Sequence, residues 1–344
     1  MKAAILYGPK DVRLEDIDKP QISPKEVLME VKVALTCGTD AKVYLRGGHP
    51  KMIKPPAVFG HEMAGIISEA GSQVSDKFKE GQRVVAANSA PCNKCFFCKE
   101  DNRQSMCEDL LFINGAYSQY LKIPERIVEQ NLLPVSDEIS FAEAALTEPL
   151  ACAVHGIEES GLKPGDTVAV NGAGPIGLMF IALAKLKKAR VIASDIQADR
   201  LETAKKLGAD ITLDLTKVKD QVAEVRSLTE NNRGVDVAIE AVGHPKVWEM
   251  TMAMVRKGGI VNLFGGCAPG TTANLDTRLL HYSELTIKGV FHHTPAYVRM
   301  ALDLITRRAV DARLFITAER PLEKIDEALD MIINHQGIKT AVLP

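Results

Sequence analysis

Four of the chain's seven cysteines crowd into sixteen residues: Cys92, Cys95, Cys98 and Cys107. A Cys-x-x-Cys-x-x-Cys run with a fourth cysteine shortly after can place four thiolates around Zn²⁺. A tetrahedron closed by four protein ligands has no open position, so such a metal is structural. The segment 91–109 has charged residues and few large apolar ones beyond Phe96 and Phe97, so its folding calls for a metal staple. Two disulfides or a redox pair are the alternatives. A second group is spread more widely. Cys37 opens Cys37-Gly38-Thr39-Asp40, and Gly60-His61-Glu62 runs into an apolar stretch ending at Gly71. A lone cysteine is usually a small buried hydrophobe, and a His-Glu pair can be a solvated turn. Together, thiolate, imidazole and carboxylate are zinc ligands, and a catalytic site uses three while leaving a position for substrate. Glu148 stands among apolar residues. Buried there it needs a partner, which a metal would provide; otherwise it is a helix-end acid turned to water. Cys152 reads as a core thiol and His155 as a packed histidine.

The third chemical element is Gly172-Ala173-Gly174-Pro175-Ile176-Gly177. A β-branched and apolar run precedes it at residues 167–171, and an Ala- and Leu-rich helical run follows through 186. Gly172 permits the tight turn, Gly174 lets a pyrophosphate approach the backbone, and Gly177 lets helix and strand pack closely. Pro175 suits a helix's first turn, where free N–H groups, Ile176 included, face a phosphate. Asp195 closes a second strand about 20 residues on, where a carboxylate accepts hydrogen bonds from the adenosine ribose hydroxyls and repels a 2′-phosphate. NAD is therefore expected over NADP. Arg200 is counted with the cofactor residues, as is Gly243 after the strand at 235–240. Gly265 and Gly266 follow the strand at 259–264 and face the same groove; each of these glycines could equally be an ordinary turn.

These groups need a scaffold. The clearest strand is residues 26–35, apolar on alternate positions over most of its length, after strands at 2–7 and 12–18. From residue 167 strands and helices alternate: helices near 201–207, 217–228 and 247–255, strands at 210–214, 235–240 and 259–264. That order implies a parallel, doubly wound sheet. A strand at 285–291, a helix at 295–306, a helix at 321–334 and a strand at 339–343 complete the chain. The strand at 285–291 ends at His292-His293, which reads as substrate-facing or as a surface turn. Lysine and arginine number 42 against 44 acids, a formal net charge of −2, which argues against nucleic acid or anionic membrane as partner. No apolar run approaches a bilayer's thickness. The N-terminal apolar run is too short for a signal peptide, so the expected location is cytoplasmic.

With these residues in place, the whole chain resembles the zinc-containing medium-chain dehydrogenases/reductases, in the branch of sorbitol (polyol) and threonine dehydrogenases. The resemblance rests on the Cys37–Asp40 run, Gly60-His61-Glu62 with Gly65 and Gly71, the four-cysteine lobe, Glu148-Pro149-Leu150, the glycine turn with Asp195, and Ile287-Lys288-Gly289. It implies a GroES-like β-barrel catalytic domain, residues 1–153 and 293–344 with the lobe at 91–109. A Rossmann NAD-binding domain, residues 154–292, is inserted within it. Cys37, His61 and Glu62 are implied ligands of one catalytic zinc, with Glu148 near the metal or ligating it; the lobe holds one structural zinc. Asp40 would hold the other nitrogen of His61, and Thr39 would accept the alcohol's proton. Zinc would lower the alcohol's pKa and the nicotinamide take the hydride.

The implied activity is NAD-dependent oxidation of a secondary alcohol: a polyol, a sugar alcohol or a related small hydroxylated molecule. Relatives imply a homodimer or homotetramer. L-threonine 3-dehydrogenase is a second reading, opposed by Lys42 and Asn88-Ser89-Ala90. A nucleotide-binding protein without catalysis is a third, opposed by the full ligand set. The chain departs from the family pattern in three places. Lys42 stands where a proton-relaying histidine is common. His292-His293 replaces an Arg-Tyr that touches substrate hydroxyls in polyol enzymes. The gap from Cys98 to Cys107 is one residue longer.

Overall fold

The strand Val27–Leu35, with its buried alternating residues, is the axis of the first unit. In the computed structural model, which describes residues 1–49 and 52–344, it pairs antiparallel with Glu62–Ala70 on one side and Lys339–Leu343 on the other. The register sets Leu35 opposite both Glu62 and Ala341. The chain leaving one strand at Cys37 is thereby brought level with the starts of two others, at His61-Glu62 and at Lys339. The full sheet order is Leu132–Pro134, Arg83–Ala86, Glu62–Ala70, Val27–Leu35, Lys339–Leu343, Ile316–Pro321, with Tyr120–Ile123 also on Val27–Leu35. A second sheet orders Asp11–Asp16, Lys2–Gly8 and Ala57–Val58. Leu6, Met29, Phe59, Met63, Tyr117 and Val342 are among the side chains that close the core between them. Each aliphatic or Phe side chain of this size stabilises the fold by about 1.5–3 kcal/mol on burial.

By its internal contacts the chain divides into two compact units, residues 1–151 with 293–344, and residues 152–292. The second is the expected doubly wound sheet. Its six parallel strands run in the order Ile211–Asp214, Arg190–Asp195, Thr167–Asn171, Val235–Glu240, Val255–Leu263, Thr286–Gly289. Chain order reverses between the third and fourth of these, which opens a crevice at their carboxyl ends. The carboxyl ends of the central strands carry polar side chains that are buried: Asn171, Ser194, Glu240 and Asn262. Asn171 donates to Thr251 at 2.7 Å, and Gln221 donates to both Asn171 and Ser194.

Four expectations about elements are corrected. The helix read at 217–228 begins only at Gln221, because Asp220 caps it by accepting from the Ala223 N–H, and it ends at Ser227. The helix read at 247–255 runs Pro245–Met254, and the next strand starts at once at Val255 rather than at 259. The helix read at 321–334 is shorter. Pro321 ends a strand, a single 3₁₀ turn covers Leu322–Lys324, and the α-helix is Ile325–Ile333. The strand Ile316–Pro321 had no counterpart in the reading of the sequence. Among the described residues no helix is long and apolar enough to cross a membrane.

Candidate active site

Cys37 is the N-cap of the helix Gly38–Arg46, and Asp40 completes a reciprocal cap by accepting from the Cys37 N–H at 3.0 Å. This local fold follows from a capping residue followed three places later by an acid. The same Asp40 carboxylate is buried and does two further jobs. One oxygen meets His61 Nδ1 at 3.0 Å; the other accepts from the Tyr117 hydroxyl at 2.7 Å. With Nδ1 engaged, His61 presents Nε2. Ligand atoms of Cys37, His61 and Glu62 all lie within 4.8 Å of one another, close to the spacing of about 3.3–3.8 Å that zinc bonds of 2.0–2.3 Å impose. Burial alone would lower the His61 pKa, but the charges of Asp40 and Cys37 outweigh it and hold it well above the usual value. Metal binding at this imidazole competes with its protonation.

Glu62 is fully buried, and both its oxygens accept from Lys339 Nζ, at 2.7 and 2.6 Å. The ammonium also donates to Thr36 O at 2.9 Å. Burial works to neutralise both groups, and their mutual attraction opposes it; the lysine pKa ends above its usual value. Each carboxylate oxygen keeps a second lone pair, so the ion pair and a metal can share Glu62. Glu148, on the first turn of the helix Thr147–Glu159, is also buried. It is not one of the close trio, but their charges act on it. Loss of water raises its pKa to about 7, against the pull of His61 and with the push of Glu62. Its Oε1 lies 3.6 Å from His293 Nε2, which meets Asn88 Oδ1 at 3.2 Å. His293 is thus a buried residue and not a surface turn. His292 takes a left-handed φ of 62°, and its carbonyl lies 2.8 Å from His155 Nδ1, which makes His155 a packed histidine. Thr39 sits half-buried on the first helical turn, its N–H on Cys37 Sγ at 3.4 Å.

The four lobe cysteines also gather, with all four sulfurs within 4.8 Å. Cys95 Sγ is 3.5 Å from Cys98 Sγ and 3.9 Å from Cys107 Sγ. Tetrahedral Zn–S bonds of about 2.3 Å imply sulfur pairs about 3.8 Å apart, while a disulfide needs about 2.05 Å. Cys92, Cys95, Cys98 and Cys107 form no disulfide with one another, which speaks against the disulfide alternative. Backbone N–H groups, that of Lys94 first, hold the Cys92 pKa near 6. Burial and neighbouring sulfurs push Cys98 up to about 12. Four sulfurs this close can ionise together only around a cation, so the donor set fits zinc.

In the second unit the strand Thr167–Asn171 leads through Gly172, at φ 94°, into the helix Pro175–Leu186 with Gly174 as its N-cap. A Cβ on Gly177 would lie 1.8 Å from Gly172 O, so only glycine allows the helix to start this near the strand. Pro175 and Ile176 supply the first, half-buried turn. Asp195 accepts from the Ala173 N–H at 2.6 Å and the Gln197 N–H at 2.9 Å, which turns its carboxylate into the glycine turn. The Arg200 guanidinium reaches 4.0 Å from the position of a Cβ on Gly174. Gly243, at φ 81°, follows the strand Val235–Glu240. The sequence reading did not single out Tyr117, Lys339 or Glu240. A lysine opening an apolar strand and a glutamate closing one were the available signals.

Residues 23–135 match the alcohol dehydrogenase GroES-like domain and residues 175–307 the zinc-binding dehydrogenase domain. The chain is 33% identical to sorbitol dehydrogenase of Bacillus subtilis over 353 residues, covering 100% of this chain and 97% of that one. It is 33% identical to D-xylulose reductase A of Aspergillus niger, covering 98% and 95%. Among solved structures, a zinc-binding dehydrogenase from Sinorhizobium meliloti bound to NADP superposes with a TM-score of 0.90 at 30% identity, covering 100% of this chain and 99% of that one.

Proposed function

The chain belongs to the zinc-binding dehydrogenase family, and from that premise we propose that it oxidises a polyol or related secondary alcohol with NAD, and reduces the corresponding ketone. One observation carries the reading: the Cys37, His61 and Glu62 ligand atoms converge, backed by Asp40, in a chain that also carries a complete dinucleotide turn. When bound, zinc supplies Lewis acidity that lowers the alcohol's pKa, and NAD accepts the hydride. Cys37, His61 and Glu62 hold the metal; Asp40 and Tyr117 fix the imidazole that binds it. The Thr39 hydroxyl would accept a hydrogen bond from the substrate's hydroxyl. Glu148, neutral or charged near pH 7, adjusts the negative charge around the ion. Cys92, Cys95, Cys98 and Cys107 hold a second, structural zinc.

Gly172, Gly174, Pro175, Ile176 and Gly177 cradle the pyrophosphate, with Arg200 beside Gly174. Asp195 keeps lone pairs for the ribose hydroxyls and places a negative charge where a 2′-phosphate would sit, so NAD is the cofactor. A cysteine cluster suited to metal rather than disulfides fits a reducing compartment, the cytoplasm. The strand Thr286–Gly289 lies at a sheet edge and suits association into a homodimer or homotetramer. The test is Cys37→Ala, assayed by NADH absorbance on sorbitol, xylitol, inositols and amino alcohols, with NADH binding read by fluorescence. Turnover should vanish while NADH binding stays within twofold. Retained turnover on any substrate that the unmodified enzyme uses would overturn the role given to Cys37.

A further inference from the structure

Glu240 ends the strand Val235–Glu240 and is fully buried. A turn at that place needs only a small capping side chain, so a buried carboxylate there calls for an account. Its bonds supply one. Oε1 accepts from two successive backbone N–H groups, Val242 at 2.8 Å and Gly243 at 2.7 Å. Its main-chain carbonyl accepts from Phe264 and Gly265, at 3.1 and 3.0 Å. One residue thus ties together the turns that leave two neighbouring strands.

Those turns touch directly, because they are made of glycine. A Cβ on Gly243 would stand 2.6 Å from Gly266 O; one on Gly265 would stand 2.3 Å from Gly243 N and 2.6 Å from Glu240 Oε2. On its other side the same turn meets the dinucleotide loop, since a Cβ on Gly172 would be 2.7 Å from the Val242 side chain. Oε2 itself has no hydrogen-bond partner among the described residues. The nearby Trp248 indole gives its N–H to Gly265 O at 3.1 Å, which braces the second turn. Loss of water raises the Glu240 pKa against the pull of the Gly243 and Val242 N–H groups.

Sheet order assigns these turns a place. Asp195 ends the strand on the adenosine side of the switch point, while Val235–Glu240 and Val255–Leu263 lie on the opposite side, that of the second mononucleotide. We propose that Glu240 is a positioning residue for the nicotinamide half of the cofactor groove, holding turns 241–243 and 264–266 as one cradle. This rests on the cofactor reading above and adds a residue to it.

The experiment measures Kd for NADH by fluorescence and for 5′-AMP by competition, in the zinc-loaded full chain. Glu240→Ala should weaken NADH roughly tenfold or more, the scale of leaving two N–H groups unsatisfied, and leave AMP within twofold. Glu240→Gln keeps the acceptor for both N–H groups and should restore NADH to within about threefold. Gly243→Ala, with Glu240 intact, should reproduce the NADH-selective loss by forcing the turns apart, and it decides the matter if Glu240→Ala does not fold. Equal weakening of NADH and AMP, or unchanged NADH binding, would overturn the cradle. Failure of the unmodified chain to bind NADH would overturn the cofactor reading with it.

Discussion

Replacing Lys339 with Met keeps the length of the side chain and removes the charge. Glu62 then loses both of its hydrogen bonds from the ammonium, at 2.7 and 2.6 Å, and Thr36 O loses a third. An exposed ion pair contributes about 0–1 kcal/mol, but this one is not exposed: Lys339 is 3% accessible and Glu62 0%. Breaking a buried pair by removing one partner costs about 3–5 kcal/mol, because the other charge is stranded. For a unit of this size each kcal/mol lowers Tm by about 2–4 °C, so the first unit's transition should drop by roughly 6–20 °C. Calorimetry on metal-stripped protein reads it. Adding zinc should recover part of the loss, since a cation on Glu62 replaces some of the missing charge. The pair Lys339→Met with Glu62→Gln should also recover part of it, as the stranded charge is gone. A metal-stripped Lys339→Met protein melting within 2 °C of the parent would refute the reasoning.

Cys98→Ser should reduce bound zinc from two ions to one per chain by elemental analysis and make the 91–109 lobe the first site of proteolysis; two ions retained would count against the four-thiolate site. Asp195→Asn keeps the size of the side chain and removes the charge. It should shift the NAD-to-NADP ratio of kcat/KM by about tenfold toward NADP, the scale of one charged hydrogen bond; an unmoved ratio would count against Asp195 as the discriminator. Asp236 accepts from the Thr167 N–H at 2.8 Å and from Arg256 Nε at 2.6 Å. Burial pushes its pKa up, but these two partners outweigh that and hold it below the usual value. A depressed folded pKa gives stability that is complete above the unfolded value, about 3.9, and is lost as pH falls through the folded one. The urea midpoint of Asp236→Asn should therefore lie below that of the parent at pH 5–7 and converge with it below about pH 4. A gap that widens with acid would contradict the assignment.

Local chemistry made much of this fold readable. The helix Pro295–Thr306 opens on Thr-Pro and ends before two arginines, and its bounds could be read directly. The glycine turn was legible because strand, turn, helix and acid lie within about thirty residues. What escaped had other causes. Ile316–Pro321 is half exposed at a sheet edge, and its ITAERP sequence, with Glu319, Arg320 and a proline, has too few large apolar residues to announce a strand. The helix after Lys217 began late because Asp220 competes for the backbone as a cap. The partners of Glu62 and Asp40 escaped for a plainer reason: Lys339 is 277 residues from Glu62 and Tyr117 is 77 from Asp40, and no periodicity encodes such distances. Glu240 was hidden as an acid at the end of an apolar strand, where a solvated side chain is the ordinary expectation.

The place of the strand Lys339–Leu343 between Val27–Leu35 and Ile316–Pro321 has a consequence for birth order on the ribosome. At about 5–20 residues per second, Lys339 is added roughly 15–55 seconds after Glu62. Throughout that interval the whole dinucleotide unit emerges and can close on itself, while the carboxylate waits without its ammonium and the neighbouring hairpin lacks a flanking strand. Nascent chains stalled short of residue 339 therefore carry the Glu62 carboxylate without the ammonium that clasps it.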